Sequence, residues 1–220
     1  MGRLIDRGKR ERARQQRAVR KQRILEEARS TFERMPFVEV TLDHVGQRAG
    51  VERGVTSMYF GTIGGLFLVV LREELESWYA ALSEELDRRG KEQGADDLAA
   101  VLSHDLTQRR LLARLLSLVP VVFEQNLEPI EVYRFQRWRH DRMSSVGAAL
   151  EQAGDLRTGA GFHLLYLAQL VAAGLEPAAN PRGAAAFDRA DPDLVGLVVN
   201  LEDELTTLLA GFLRHSHSGV

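Results

Sequence analysis

Residues 41–60 read TLDHVGQRAGVERGVTSMYF, and this stretch decides the fold. Thr41 is a helix cap, because a hydroxyl at that position accepts a backbone N–H from the first turn. The helix it opens runs Leu42 to Ala49, and Gly50 supplies a C-terminal stop. After the turn Gly50-Val51-Glu52, a second short helix fits Arg53 to Phe60, and Gly61-Thr62 ends it. Two short helices joined by a Gly-containing turn form the pattern of a helix-turn-helix. An ordinary helical hairpin has the same spacing, so the flanking chain has to decide. Val38 to Val45 also alternates briefly like a strand, the only such stretch in the chain.

Working outward, Ile24, Leu25, Ala28 and Phe32 recur at helical spacing, and Arg34-Met35-Pro36 ends that helix. On the other side, Leu66 to Arg89 is a long amphipathic helix. Shorter helices fit Asp96 to Leu106 and Gln108 to Val119. A long mixed one spans Ile130 to Gln152. Ala160 to Leu175 and Asp193 to Leu213 are apolar nearly all round. All six prolines read as boundaries. The fold class is all-α: a three-helix N-terminal head and a larger helical body, about nine helices in all. Residues 24–62 form the head and 63–220 the body.

Charge is unevenly placed. Residues 1–23 carry ten of the 29 basic residues and only two acids, so this segment is +8 and the other 197 residues are −10. It reads as a basic, flexible arm able to contact a polyanion, the alternative being a solvated tail. With no cysteine, disulfides, thiolate metal sites and cysteine nucleophiles are excluded. No apolar run follows the N-terminal charges as a signal peptide requires. Leu111 to Phe123 and Leu164 to Leu175 fall short of a membrane span. The expectation is a soluble, cytoplasmic protein.

Ile24-Leu25, Ala28, Phe32, Thr41-Leu42, Val45, Ala49-Gly50-Val51, Gly54, Tyr59-Phe60 and Leu66 together resemble the TetR family of transcriptional regulators. The agreement of spacing and residue type covers more than forty positions. Arg110-Leu-Leu-Ala-Arg-Leu-Leu and Phe123-Glu-Gln-Asn resemble one C-terminal subgroup. The resemblance implies a ligand-responsive repressor of a palindromic operator, with double-stranded DNA, a second copy of the chain and a small-molecule effector as partners. No cofactor or metal is expected. DNA-facing residues would be Thr41, Arg48, Arg53, Gly54, Thr56, Ser57, Met58 and Tyr59. Arg10, Arg12, Arg14, Arg17, Arg20 and Lys21 of the arm would join them. Arg53 and Thr56 lie one turn apart and would both point into the groove. Phe60 reads as core.

The sequence departs from the family pattern at Glu52, where a cap Ser or Thr is usual. It also departs at Val55-Thr56-Ser57, in place of Thr-Leu-Tyr, and at Ile63, in place of Lys. Arg53 keeps the charge of the usual Lys. Several standard phosphate contacts are therefore missing. Either the arm supplies the affinity through the minor groove, or DNA is bound weakly and the chain is a ligand- or partner-binding module.

The family also implies a pocket in the body. Its candidate lining is Phe67, Leu71, Trp78, Leu116, Phe123, Asn126, Tyr133, Trp138, Met143, His163, Tyr166 and Gln169. A plain core would use the same residues. The two apolar helices would pair across a two-fold axis through Leu164, Leu167, Ala168, Val171, Leu194, Val198, Leu201, Leu205, Leu208 and Phe212. Gly159-x-Gly161 lacks the strand and third glycine of a dinucleotide loop, and His140-Asp141 do not face each other on a helix. An all-α enzyme with a non-contiguous site stays as the remote alternative.

Overall fold

The computed structural model describes residues 2–91, 93–181 and 193–217. Among them are nine α-helices and no strand. The head consists of α1 (Gly2–Arg34), α2 (Leu42–Arg48) and α3 (Val55–Phe60). The body consists of α4 (Ile63–Arg89), α5 (Ala95–Gln108), α6 (Arg110–Gln125), α7 (Pro129–Gly154), α8 (Ala160–Ala179) and α9 (Leu201–His217).

The flexible arm is corrected first. Residues 2–23 continue α1 as one helix of 33 residues. Beyond Gly2 and Gly8 the segment holds no breaker, and Arg, Gln, Lys, Glu and Ala are good helix formers. The alternation at 38–45 is no strand. A single 3-10 turn, Phe37–Glu39, follows Pro36, and Thr41 then caps α2 by accepting His44 N–H at 3.1 Å.

Two prolines expected at boundaries lie inside helices, Pro120 in α6 and Pro177 in α8. Both are on the exposed side, where the carbonyl left open in the preceding turn can meet water. The last helix starts eight residues later than expected. Val195–Leu197 form a 3-10 turn, and Asn200 caps α9 by accepting Glu202 N–H at 3.1 Å. The acids Glu202, Asp203 and Glu204 sit in that first turn, where the helix dipole favours them.

α4 is the spine. Leu66, Phe67, Val70 and Leu71 bury toward the head, and Leu75, Trp78, Tyr79, Leu82 and Leu86 bury in the body. α7 and α8 cross on backbone. A Cβ on Gly161 would lie 2.0 Å from Gly147 O, and one on Gly147 would lie 2.6 Å from Phe162 N. Glu151 of α7 seals the crossing by accepting Gly159 N–H at 2.8 Å and Gly161 N–H at 3.1 Å.

Head and body are clasped at α1. Arg29 reaches Glu73 at 2.5 Å and Glu74 at 2.7 Å on α4. Arg114 of α6, only 6% exposed, donates to Glu33 O at 3.2 Å and to Met35 O. Among the described residues no helix is long and apolar enough to cross a membrane.

Candidate nucleic-acid interface

The α2–turn–α3 unit is built on two glycines. Gly46 has no side chain, so Thr56 of α3 seats against it; a Cβ there would lie 2.5 Å from Thr56 Oγ1. Gly50 turns the chain at φ +65°, and Arg23 of α1 locks the turn by donating to Ala49 O at 2.7 Å. Arg23 reads in sequence as one more arm charge; its role here is to hold the turn.

This packing revises the DNA-facing set. Thr56 is buried, 3% exposed, and does not point into any groove. Phe60 is core, as are Val45 and Ala49. Arg53, Gly54, Ser57 and Met58 remain exposed. Arg53 extends over α2, with its Nε 3.3 Å from Asp43, and Met58 is 86% exposed. Thr41 is exposed and engaged as the α2 cap. Arg48 pairs with Glu27 of α1 at 3.2 Å. Tyr59 is half-buried and donates its hydroxyl to Arg17 O at 3.4 Å, which sets α1 beside α3.

Arg10, Arg12, Arg14, Arg17, Arg20 and Lys21 are all exposed on α1. Arg10, Arg14, Arg17 and Lys21 recur every three or four residues, so they form one stripe. The same spacing continues into Ile24 and Ala28, the face of α1 that packs on the head. A basic helix thus lies beside α3, tied to it by the hydrogen bond from Tyr59 to Arg17 O.

Six of the twelve expected lining residues, Phe67, Leu71, Trp78, Leu116, Met143 and Gln169, are buried in the body. Phe123 packs edge-on against Phe135 at 5.6 Å. Asn126 lies against Gly64, where a Cβ would meet its carbonyl at 2.4 Å, so it joins α6 to α4. Tyr133, His163 and Tyr166 face outward and line no interior pocket. The reason is helix phase: α8 turns Leu164, Leu165, Ala168, Gln169 and Ala172 inward. A groove of about 640 Å³ opens elsewhere, between α4, α5 and α9, beside Glu85, Asp97, His104, Asp105 and Glu202.

A buried polar trio joins α4, α7 and α8. Arg139 donates to Gln169 Oε1 at 3.0 Å, and Gln169 donates to Tyr79 Oη at 3.2 Å. Sequence reasoning did not single out Arg139; its place between Phe135 and Met143, in steps of four, was the available signal that it is buried. Burial pushes the Tyr79 phenol up to about 12, against the opposing effect of Arg139. A raised acid pKa makes folding favour the neutral form, so this stabilisation is complete below about pH 10 and is lost as pH rises toward 12. Urea titrations should show stability falling across that window, and Tyr79→Phe should remove that part of the fall.

With this geometry in place, comparison with known families is decisive. The family described as tetracyclin repressor-like, C-terminal domain, matches residues 72–214, well over half of the chain. The chain belongs to the TetR family. No curated protein matches it closely enough to add to this.

The expected pairing residues lie on α8, on α9 and just before α9. Of the expected pairing residues, Leu164, Ala168, Leu201 and Leu205 pack inside the protomer instead. Leu194 and Val198 precede α9. Leu167, Val171 and Phe212 are half-buried, and Leu208 is 48% exposed. Tyr166 and Leu170, the latter 51% exposed, complete the apolar outer face. Leu170 was missed, because a helix apolar all round does not show in sequence which side its own neighbours will cover.

Proposed function

We propose that this TetR-family protein is a homodimeric, sequence-specific DNA-binding regulator. It works in the cytoplasm, as a repressor released from a palindromic operator by a small molecule. The observation that supports this most is the exposed face of α3 lying beside the basic stripe of α1. Arg53, Ser57 and Met58 would enter the major groove. Arg10, Arg14, Arg17 and Arg20 would hold phosphates. The family's members are regulators, and the unpartnered apolar face Tyr166, Leu170 and Leu208 suits a second copy. Two-fold symmetry would set the recognition helices about 34–36 Å apart, one turn of DNA.

The test is fluorescence anisotropy against fragments of the chain's own upstream region, with scrambled DNA alongside and across a salt series. Palindrome-dependent binding by a dimer is expected. Arg53→Ala should then cost about 1–3 kcal/mol and relax preference at one base pair. Weak, sequence-blind binding would instead favour a ligand-binding module that has lost its operator. The absence of a polar side chain at Val55 and Ile63 is the observation behind that second reading.

A further inference from the structure

A cleft of about 530 Å³ opens between head and body, walled by Lys21 of α1, by Val69, Arg72, Glu73 and Glu76 of α4, and by Trp138 and Arg142 of α7. Its charges are not balanced. Arg142 spends both arms on Glu76, at 3.0 and 2.7 Å. Glu73 accepts Arg29 at 2.5 Å. Among the described residues, Lys21 and Arg72 have no carboxylate partner. Arg72 lies instead over the Trp138 indole, its guanidinium carbon 4.7 Å from the ring centroid. The result is a cleft lined by an aromatic ring, an aliphatic neighbour, Val69, and two cations without a carboxylate partner.

We propose that this cleft binds a small aromatic carboxylate. The volume suits a ligand of that size. The carboxylate would lie between Lys21 and Arg72, where a guanidinium offers a planar pair of donors. The ring would stack in the space beside Trp138 and Val69. An inorganic anion would leave the indole unused, and a neutral arene would leave the cations unused. The walls come from both α1 and the body helices, so the occupant bridges the DNA-binding head and the ligand-binding half. None of this depends on operator recognition, and the test uses no DNA.

Isothermal titration calorimetry on the full chain would compare naphthoate, its neutral amide and inorganic phosphate. Naphthoate should bind at least about tenfold more tightly than the other two, the worth of a charge-assisted hydrogen bond together with the stacked ring. Arg72→Gln and Lys21→Gln should each weaken naphthoate about tenfold. Both side chains are exposed, so the fold should be kept, which circular dichroism would verify. Naphthoate should also quench indole fluorescence, and Trp138→Phe should abolish that quenching. No binding, equal binding of the amide, equal binding of phosphate, or undiminished affinity in Arg72→Gln would each overturn the assignment.

Discussion

Replacing Arg10, Arg14 and Arg17 together with glutamine should lower DNA affinity about a hundredfold near 0.1 M salt. The slope of log affinity against log salt should fall by about 2.7, at about 0.9 for each lost phosphate contact. Glutamine is a good helix former, so α1 should survive and only its charge is removed. A second variant separates a rigid helix from a loose arm. Ala18→Pro keeps every charge but removes a backbone N–H and clashes with the turn before it. If α1 must be straight to place its stripe beside α3, this variant should also bind weakly. An arm that works as a flexible polycation would tolerate the proline. An unchanged salt slope in the triple variant would reject any contact between α1 and DNA.

Arg114→Met should lower the stability of the whole chain by about 2–4 kcal/mol in urea unfolding. Arg114 is a buried cation that donates to two backbone carbonyls, Glu33 O and Met35 O, at the C-terminal end of α1. That end carries the negative pole of the helix dipole, which compensates the guanidinium in place of a carboxylate. Methionine fills much of the volume but leaves both carbonyls buried without a donor. Arg114→Lys should recover only part of the loss, since one ammonium cannot reproduce the planar fork. Hydrogen exchange should rise first in the last turn of α1. A stability change below about 0.5 kcal/mol would show that the clasp contributes nothing.

Much of this fold was legible in the residues. Thr41, Gly50, Gly54 and Gly61 punctuate the short helices by chemistry that needs no tertiary partner. The buried stripe of α4 follows from its spacing alone. The failures share a cause, which is that a face is chosen by its neighbours. Thr56 lies one turn from Arg53 and looks equally free, yet Gly46 draws α3 close enough to cover it. A glycine inside a helix was the signal available there, as it was at Gly147 and Gly161. The charge density of residues 1–23 suggested disorder, while the regular steps Arg10, Arg14, Arg17, Lys21, Ile24 already marked a helix. Pro120 and Pro177 were read as ends because sequence does not reveal that they would face water. The outer side of α8 was illegible for the same reason that Leu164 and Ala168 were misplaced: every side of that helix is apolar.

α4 runs unbroken from Ile63, three residues after α3 ends, to Arg89 in the body. Twenty-seven residues make a rod of about 40 Å, at about 1.5 Å per residue. The rod is long compared with the displacements that matter at a base edge. Pivoted at its body end, it would carry its other end through about 3.5 Å for a tilt of about 5°. Such a shift is more than the length of a hydrogen bond. On the proposed function this gives mechanical gain: a rearrangement too small to disturb the packing around Leu75, Trp78 and Leu82 would be enough, three residues from α3, to put a DNA-reading helix out of register.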